Sequence, residues 1–222
     1  MWFLSSVTTA YHMGPLLLHG LLITIGVSCA AMAIGFCGGM IAGIFTCKRL
    51  SNCFSPIING YVLFVRATPV YVQLLLVYYA LPELFGVNLV PVWAGIVALS
   101  ICSAAYATEI VRGGINAVPL GQWEAACALG YSKWHTLQYI IMPQAITKVF
   151  PALVNEALSV LKDSSMLSAI GVVELTKIAI NMSARTLNPA IAYGLVTLLY
   201  VGITVLITII ARYTEKKLEV IT

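Results

Sequence analysis

Few residues in this chain could do chemistry, and most lie in apolar surroundings. Glu109, Glu156 and Asp163 are carboxylates inside or beside hydrophobic runs, and Arg66, Thr68, Gln73 and Lys162 are polar groups in the same setting. Ionisable groups within apolar spans face a bundle interior or a watery path and mark solute or ion routes. Asn155, Glu156, Ser159, Lys162 and Asp163 follow an i, i+1, i+4, i+7, i+8 pattern. That spacing gathers them on one helix face, with Ala157, Leu158, Val160 and Leu161 mostly elsewhere. One face of this helix is expected to meet water or solute. Glu156 lies roughly 9 Å from Lys162 by helical rise. It suits a cationic partner, because a buried carboxylate is costly unless paired. A fixed pair with Arg66 or Lys148 is the structural alternative.

Other chemistries lack their residues. No G-x-x-x-x-G-K-[ST] phosphate loop occurs, so this chain is not expected to hydrolyse ATP itself. HExxH and GxSxG are absent and no nucleophile–base pair is visible, which argues against an intramembrane enzyme. His12, His19 and His135 are too far apart for a metal site or relay and read as interfacial or packed. Cys29, Cys37, Cys47, Cys53, Cys102 and Cys127 contain no CxxC pair and read as small packing residues. No metal or cofactor is expected. The basic residues form no aromatic-interleaved face, so nucleic acid is not an expected partner.

The elements that must position these groups are membrane helices. The chain has 222 residues, 60% hydrophobic and 9% charged, with a net charge of +4. Its mean hydropathy is +0.96. These values place it outside soluble domains and predict an all-α integral membrane protein, a single transmembrane domain over residues 1–222. No basic residue precedes Lys48, so a cleavable secretory signal is not expected, and residues 1–15 read as a short exposed tail. Five spans are expected at residues 16–47, 57–81, 92–111, 139–161 and 189–211. In the first, Gly35, Gly39 and Gly43 recur every four residues, with Ala31 one step earlier, which makes a ridge for close helix packing. Pro69 removes one hydrogen bond inside the second. Residues 166–182 are too short and too charged to span and are expected at the outer surface.

Residues 119–143, PLGQWEAACALGYSKWHTLQYIIMP, are neither apolar enough to span nor short enough to be a turn. Gly121 and Gln122 open a short helix, Gly130 suits a left-handed C′ position and Ser132 suits the N-cap of a second helix. Trp123, Cys127 and Gly130 share a face, while Glu124, Ala125 and Ala126 leave a small surface with one charge. On composition, an interfacial loop anchored by Trp123, Trp134 and Tyr139 remains open.

The residue order, however, resembles the EAA-x3-G-x9-I-x-L-P signature of permease subunits in bacterial ABC importers. Here it reads Glu124-Ala125-Ala126, Gly130, Ile140 and Met142-Pro143, with Met142 in the Leu position. FVRATPVYVQLLLVYYALP, AYATEIVRGGINAVPLGQWEAA and Lys162-Asp163-Ser164-Ser165 are similar to the polar amino acid uptake branch, the last with Ser164 for Thr. The resemblance runs from about Gly14 to Leu218. It implies that residues 119–138 form a cytoplasmic coupling helix docking on an ATPase dimer through Gln122, Trp123, Glu124, Ala125, Ala126 and Gly130. It also implies a second permease subunit, identical or related, and an external amino acid-binding protein. The solute set is then Arg66, Thr68, Gln73, Asn155, Glu156, Lys162, Asp163, Ser164 and Ser165.

Charge alone agrees with that topology. With residues 119–138 inside, Lys48, Arg49, Arg112, Lys133, Lys148, Arg212, Lys216 and Lys217 fall inside, and Lys162, Lys177 and Arg185 outside, as the positive-inside rule favours. The N-terminus is then external and the C-terminus cytoplasmic, in a bacterial inner membrane. The expected function is ATP-driven inward transport of a polar or charged L-amino acid, with a slight preference for arginine, histidine or lysine. The alternative is an ion-coupled secondary transporter or channel using Glu109, Glu156 and Asp163.

Overall fold

The computed structural model describes residues 2–50 and 53–219, with side chains over 13–50 and 53–217. Met1 and His12 therefore lie outside the described residues or side chains. Every regular element among the described residues is a helix, as expected where lipid leaves no partner for unsatisfied backbone groups. Its helices are α1 (Trp2–Thr46), α2 (Ser55–Ala67), α3 (Val70–Leu75), α4 (Leu81–Phe85), α5 (Pro91–Asn116), α6 (Leu120–Ala128), α7 (Lys133–Thr136), α8 (Met142–Asp163), α9 (Leu175–Thr186) and α10 (Pro189–Glu219). Two π-helical turns, Leu76–Ala80 and Leu137–Ile141, and a 3₁₀ segment, Ser164–Ile170, join consecutive helices.

Among the described residues, four helices are long and apolar enough to cross a membrane: Met13–Thr46, Pro91–Asn116, Lys133–Ile170 and Pro189–Lys217. The broken pair Ser55–Ala67 and Val70–Phe85 makes a fifth if counted as one span. The expected spans thus fall on helices, with four revisions. The stretch read as a tail, 1–15, is helical from Trp2 onward. The second run is not continuous: Thr68 is extended at φ −111° and ψ 143°, the conformation imposed on a residue before proline, and its backbone N–H caps Val65 O. That run, expected to end at 81, continues to Phe85. Helices α5 and α10 run past the expected span ends at 111 and 211 and include Arg112 and Arg212, because long basic side chains can reach the interface from within a helix.

The chain forms two compact units. The first contains residues 1–31, 70–99 and 158–207. Its core joins Leu17, Leu175, Ile178, Ala179 and Val196. Within residues 166–182, Leu167, Ile170, Leu175, Ala179 and Met182 are buried. Glu174, 1% exposed, caps α9 by accepting from Thr176 N at 2.8 Å and Lys177 N at 2.7 Å. Tyr200 Oη donates to the same carboxylate at 3.1 Å, and Leu175 N donates to Thr24 Oγ1 at 3.2 Å. Three sequence-distant helices are tied at this cap, and desolvation by burial raises the Glu174 pKa against the lowering effect of those donors.

The second unit contains residues 32–69, 100–157 and 208–222. Within it the glycine ridge of α1 lies on α5. A Cβ on Gly35 would stand 2.8 Å from Ser103 Cβ, on Gly39 2.5 Å from Ala107 Cβ, and on Gly43 2.8 Å from Val111 Cβ. The four-residue glycine spacing read from sequence is thus the register of a close helix-to-helix contact. Of the six cysteines, Cys47 and Cys102 are buried while Cys29, Cys37, Cys53 and Cys127 are exposed, so the packing role holds for two.

Candidate functional site

The segment that departs from the spans folds as a helix, turn, helix in the second unit. Helix α6 ends in a Schellman motif: Gly130, at φ +81°, donates to Cys127 O at 3.0 Å, and Tyr131 N donates to Ala126 O at 3.0 Å. Glycine takes this left-handed C′ position without the Cβ penalty other residues carry. Ser132 then N-caps α7, accepting from His135 N at 3.3 Å, and its Oγ also lies 2.9 Å from His135 Nδ1. His135 stacks on Tyr139 with ring centroids 5.9 Å apart. It is exposed, as is His19, and no metal-binding group occurs among the described residues.

The face assignment differs from the sequence reading. Trp123 and Ala126, three residues apart, are buried, whereas Cys127 is exposed. Trp123 joins a cluster with Cys47, Val111, Ile115, Leu137 and Ile141, so it roots the hairpin in its own chain. Removing such a side chain costs roughly 3–5 kcal/mol. The Trp123 and Ala126 side chains thus face the interior of the second unit. Gln122, Glu124, Ala125 and Gly130 remain exposed, flanked by Leu120, Tyr131, Trp134 and Leu129, the last 76% exposed. Trp134 also meets Phe45 edge-on at 6.0 Å between centroids.

The residues expected around a solute are distributed over both units. In the second unit Arg66 is engaged: its Nη1 lies 3.4 Å from Glu109 Oε2, and its guanidinium carbon is 5.5 Å from the Tyr106 ring centroid. Arg112 Nη2 donates to the same Glu109 oxygen at 2.7 Å and its Nη1 to Asn59 Oδ1 at 3.2 Å. One carboxylate therefore holds two guanidiniums. Thr68 Oγ1 donates back to Phe64 O at 3.0 Å. Asn155 is exposed and Glu156 half-buried on α8. Lys148, the other internal partner considered for Glu156, donates to Ala117 O at 2.9 Å.

In the first unit Gln73 is buried, Lys162 exposed, and Asp163 and Ser165 half-buried. Ser164 is buried and donates to Leu161 O at 2.7 Å, so its hydroxyl serves its own helix end. Sequence reasoning missed Asn59 and the shared role of Glu109. The signal was the series Tyr106, Glu109 and Arg112 at three-residue steps on α5, which puts all three on one side of that helix.

These features define a helical, multi-pass membrane protein with a hairpin rooted by buried Trp123 and otherwise largely exposed. The profile of the family described as "Binding-protein-dependent transport system inner membrane component" matches residues 35–220, and the chain belongs to that family, the membrane components of ABC transporters. An arginine transport system permease protein of Bacillus subtilis is 36% identical over 211 residues, covering 92% of this chain and 93% of that protein. A glutamine transport system permease protein of Escherichia coli is 32% identical over 213 residues, covering 93% and 94%. A crystal structure of an amino acid ABC transporter with histidines superposes at TM-score 0.88 with 33% identity, covering 95% of this chain and 97% of that one. Inward-facing structures of a methionine ABC transporter superpose at TM-score 0.81 with 20% identity and show the fold alone.

Proposed function

We propose that this chain is the membrane-spanning subunit of an ATP-driven importer that moves a polar or charged L-amino acid inward, with a slight preference for arginine, histidine or lysine. The permease names of its relatives support an amino acid cargo. The observation that carries the mechanism is the hairpin. Gln122, Glu124, Ala125 and Gly130 are exposed on a base fixed by buried Trp123, a rigid knob for a separate ATPase dimer. Closure of that dimer would move the hairpin, and the hairpin's root on α5 would pass the motion to the spans. In this reading five spans, with α2–α4 as one, place residues 119–138 in the cytoplasm, residues 166–182 toward the outside, the N-terminus external and the C-terminus cytoplasmic. A second permease subunit and an external amino acid-binding protein complete the machine.

For the solute, Glu156 and Asn155 on α8 are the proposed contacts, with Lys162, Asp163 and Ser165 further along the helix and Arg66, Thr68 and Gln73 on the broken run. The test uses the complex with its ATPase and binding protein in proteoliposomes, scanning single amino acids for stimulated hydrolysis. Glu124→Arg and Gly130→Trp are expected to insert normally and to lose that stimulation; full coupling in either would remove the docking assignment. If Glu156→Gln leaves uptake of arginine, histidine and lysine unchanged in an intact complex, Glu156 is not a solute contact. Concentrative uptake by the chain alone, driven by an ion gradient, would establish the secondary-transporter alternative.

A further inference from the structure

Beside the root of the hairpin, the second unit carries a cavity of about 260 Å³ with an unusual lining. Its walls include Lys48, Arg49, Asn116, Val118, Leu120 and Trp123. The two cations come immediately after α1, whose apolar run ends at Thr46, which puts them at headgroup depth if Met13–Thr46 spans the bilayer. Among the described residues neither forms an ion pair, in contrast to Arg66 and Arg112, which share Glu109. Their backbone is held in place before any ligand arrives. Lys48 N donates to Asn116 Oδ1 at 3.3 Å, Leu50 N to Cys47 O at 3.1 Å, and Cys47 is buried in the cluster that holds Trp123. From the other side, Lys148 Nζ donates to Ala117 O at 2.9 Å and fixes the loop that forms the far wall.

Two unpaired, exposed cations at the rim and a wall of Val118, Leu120 and Trp123 match one chemistry: a phosphate attached to an apolar body. The volume equals about nine waters' share of liquid, room for a phosphodiester and its glycerol. We propose that this cavity binds the headgroup of an anionic phospholipid and that the bound lipid braces the 47–49 turn against the 115–123 loop that roots the hairpin. A neutral phosphatidylcholine headgroup brings its own cation and would leave Lys48 and Arg49 uncompensated. The proposal rests on the membrane placement of α1 and not on the identity of the transported solute.

The test is lipid retention by the purified full-length protein, in complex with its ATPase, in nanodiscs of phosphatidylcholine with a minor fraction of phosphatidylglycerol. Each cation near a bilayer surface is worth about a fivefold change in anionic-lipid affinity, so K48Q/R49Q should lower retained phosphatidylglycerol on the order of thirtyfold. The single variants should fall between, and K48R should retain lipid as the parent does. Equal retention by parent and double variant overturns the proposal. So does loss of ATPase attachment by K48Q/R49Q in pure phosphatidylcholine, which would assign the two cations to a protein partner. Displacement of the lipid by millimolar inorganic phosphate would make the site one for free phosphate and would likewise overturn it.

Discussion

Gly38 and Gly39 are neighbours in sequence, yet alanine at the two positions should change stability in opposite directions. A Cβ on Gly39 would meet Ala107 Cβ at 2.5 Å, Ala104 O at 2.7 Å and Thr108 N at 3.0 Å. Carbon–carbon contacts are comfortable near 3.5–4.0 Å, so α5 would have to retreat by about 1 Å. Two of the three obstacles are backbone atoms and cannot rotate away. Overpacking of this kind costs typically 1–3 kcal/mol, while alanine gains up to about 1 kcal/mol over glycine in helix propensity, leaving a net loss of up to about 2 kcal/mol. A Cβ on Gly38 meets only Ala104 Cβ, at 3.8 Å, an ordinary contact, so the propensity gain stands alone. The assay is unfolding of the detergent-solubilised protein by SDS titration and by heat, followed by helical circular dichroism. Gly39→Ala should lower both midpoints and Gly38→Ala should raise or preserve them. Adding Ala107→Gly to Gly39→Ala should restore part of the loss, since it removes the nearest atom. If the two single variants shift together, or Gly39→Ala is the more stable, the close α1–α5 contact is not what the ridge provides.

Two further outcomes follow from the charged groups. Double-mutant cycles on thermal stability should give a larger coupling for Glu109 with Arg112, at 2.7 Å, than with Arg66, at 3.4 Å and 45% exposed, each on the order of 1 kcal/mol or less; a stronger Arg66 coupling would refute the geometry. At Glu174 the folded pKa lies above its ordinary value, so the protonated form is favoured by folding. Its contribution is complete below the ordinary carboxylate range and is lost as pH rises through the raised value. Across that window the parent should lose stability with rising pH relative to Glu174→Gln, read as the difference in unfolding midpoint. A difference that grows in the other direction would show that the Thr176, Lys177 and Tyr200 donors outweigh burial.

Much of this architecture is written in local patterns. Apolar runs longer than a bilayer core have one backbone solution, a helix, so the spans could be placed from composition alone. The turn at Gly130 and the cap at Ser132 were legible for the same reason: each satisfies its own backbone groups within a few residues. The four-residue glycine period announced a close helix contact, though not its partner. What the linear pattern left undecided depends on which side chains arrive from afar. Trp123 looked like part of a docking face until Cys47, Ile115 and Ile141 closed over it, and Ser164 looked available until its hydroxyl turned to Leu161 O. Residues 166–182 were too polar to span, and only the fold shows that Thr24 and Tyr200, far away in sequence, supply the partners that let Glu174 and its helix be buried. The sequence determines where a backbone can satisfy itself; only tertiary structure decides which polar and aromatic side chains are spent inside the fold and which remain for a partner, because burial is a property of neighbours and not of the residue.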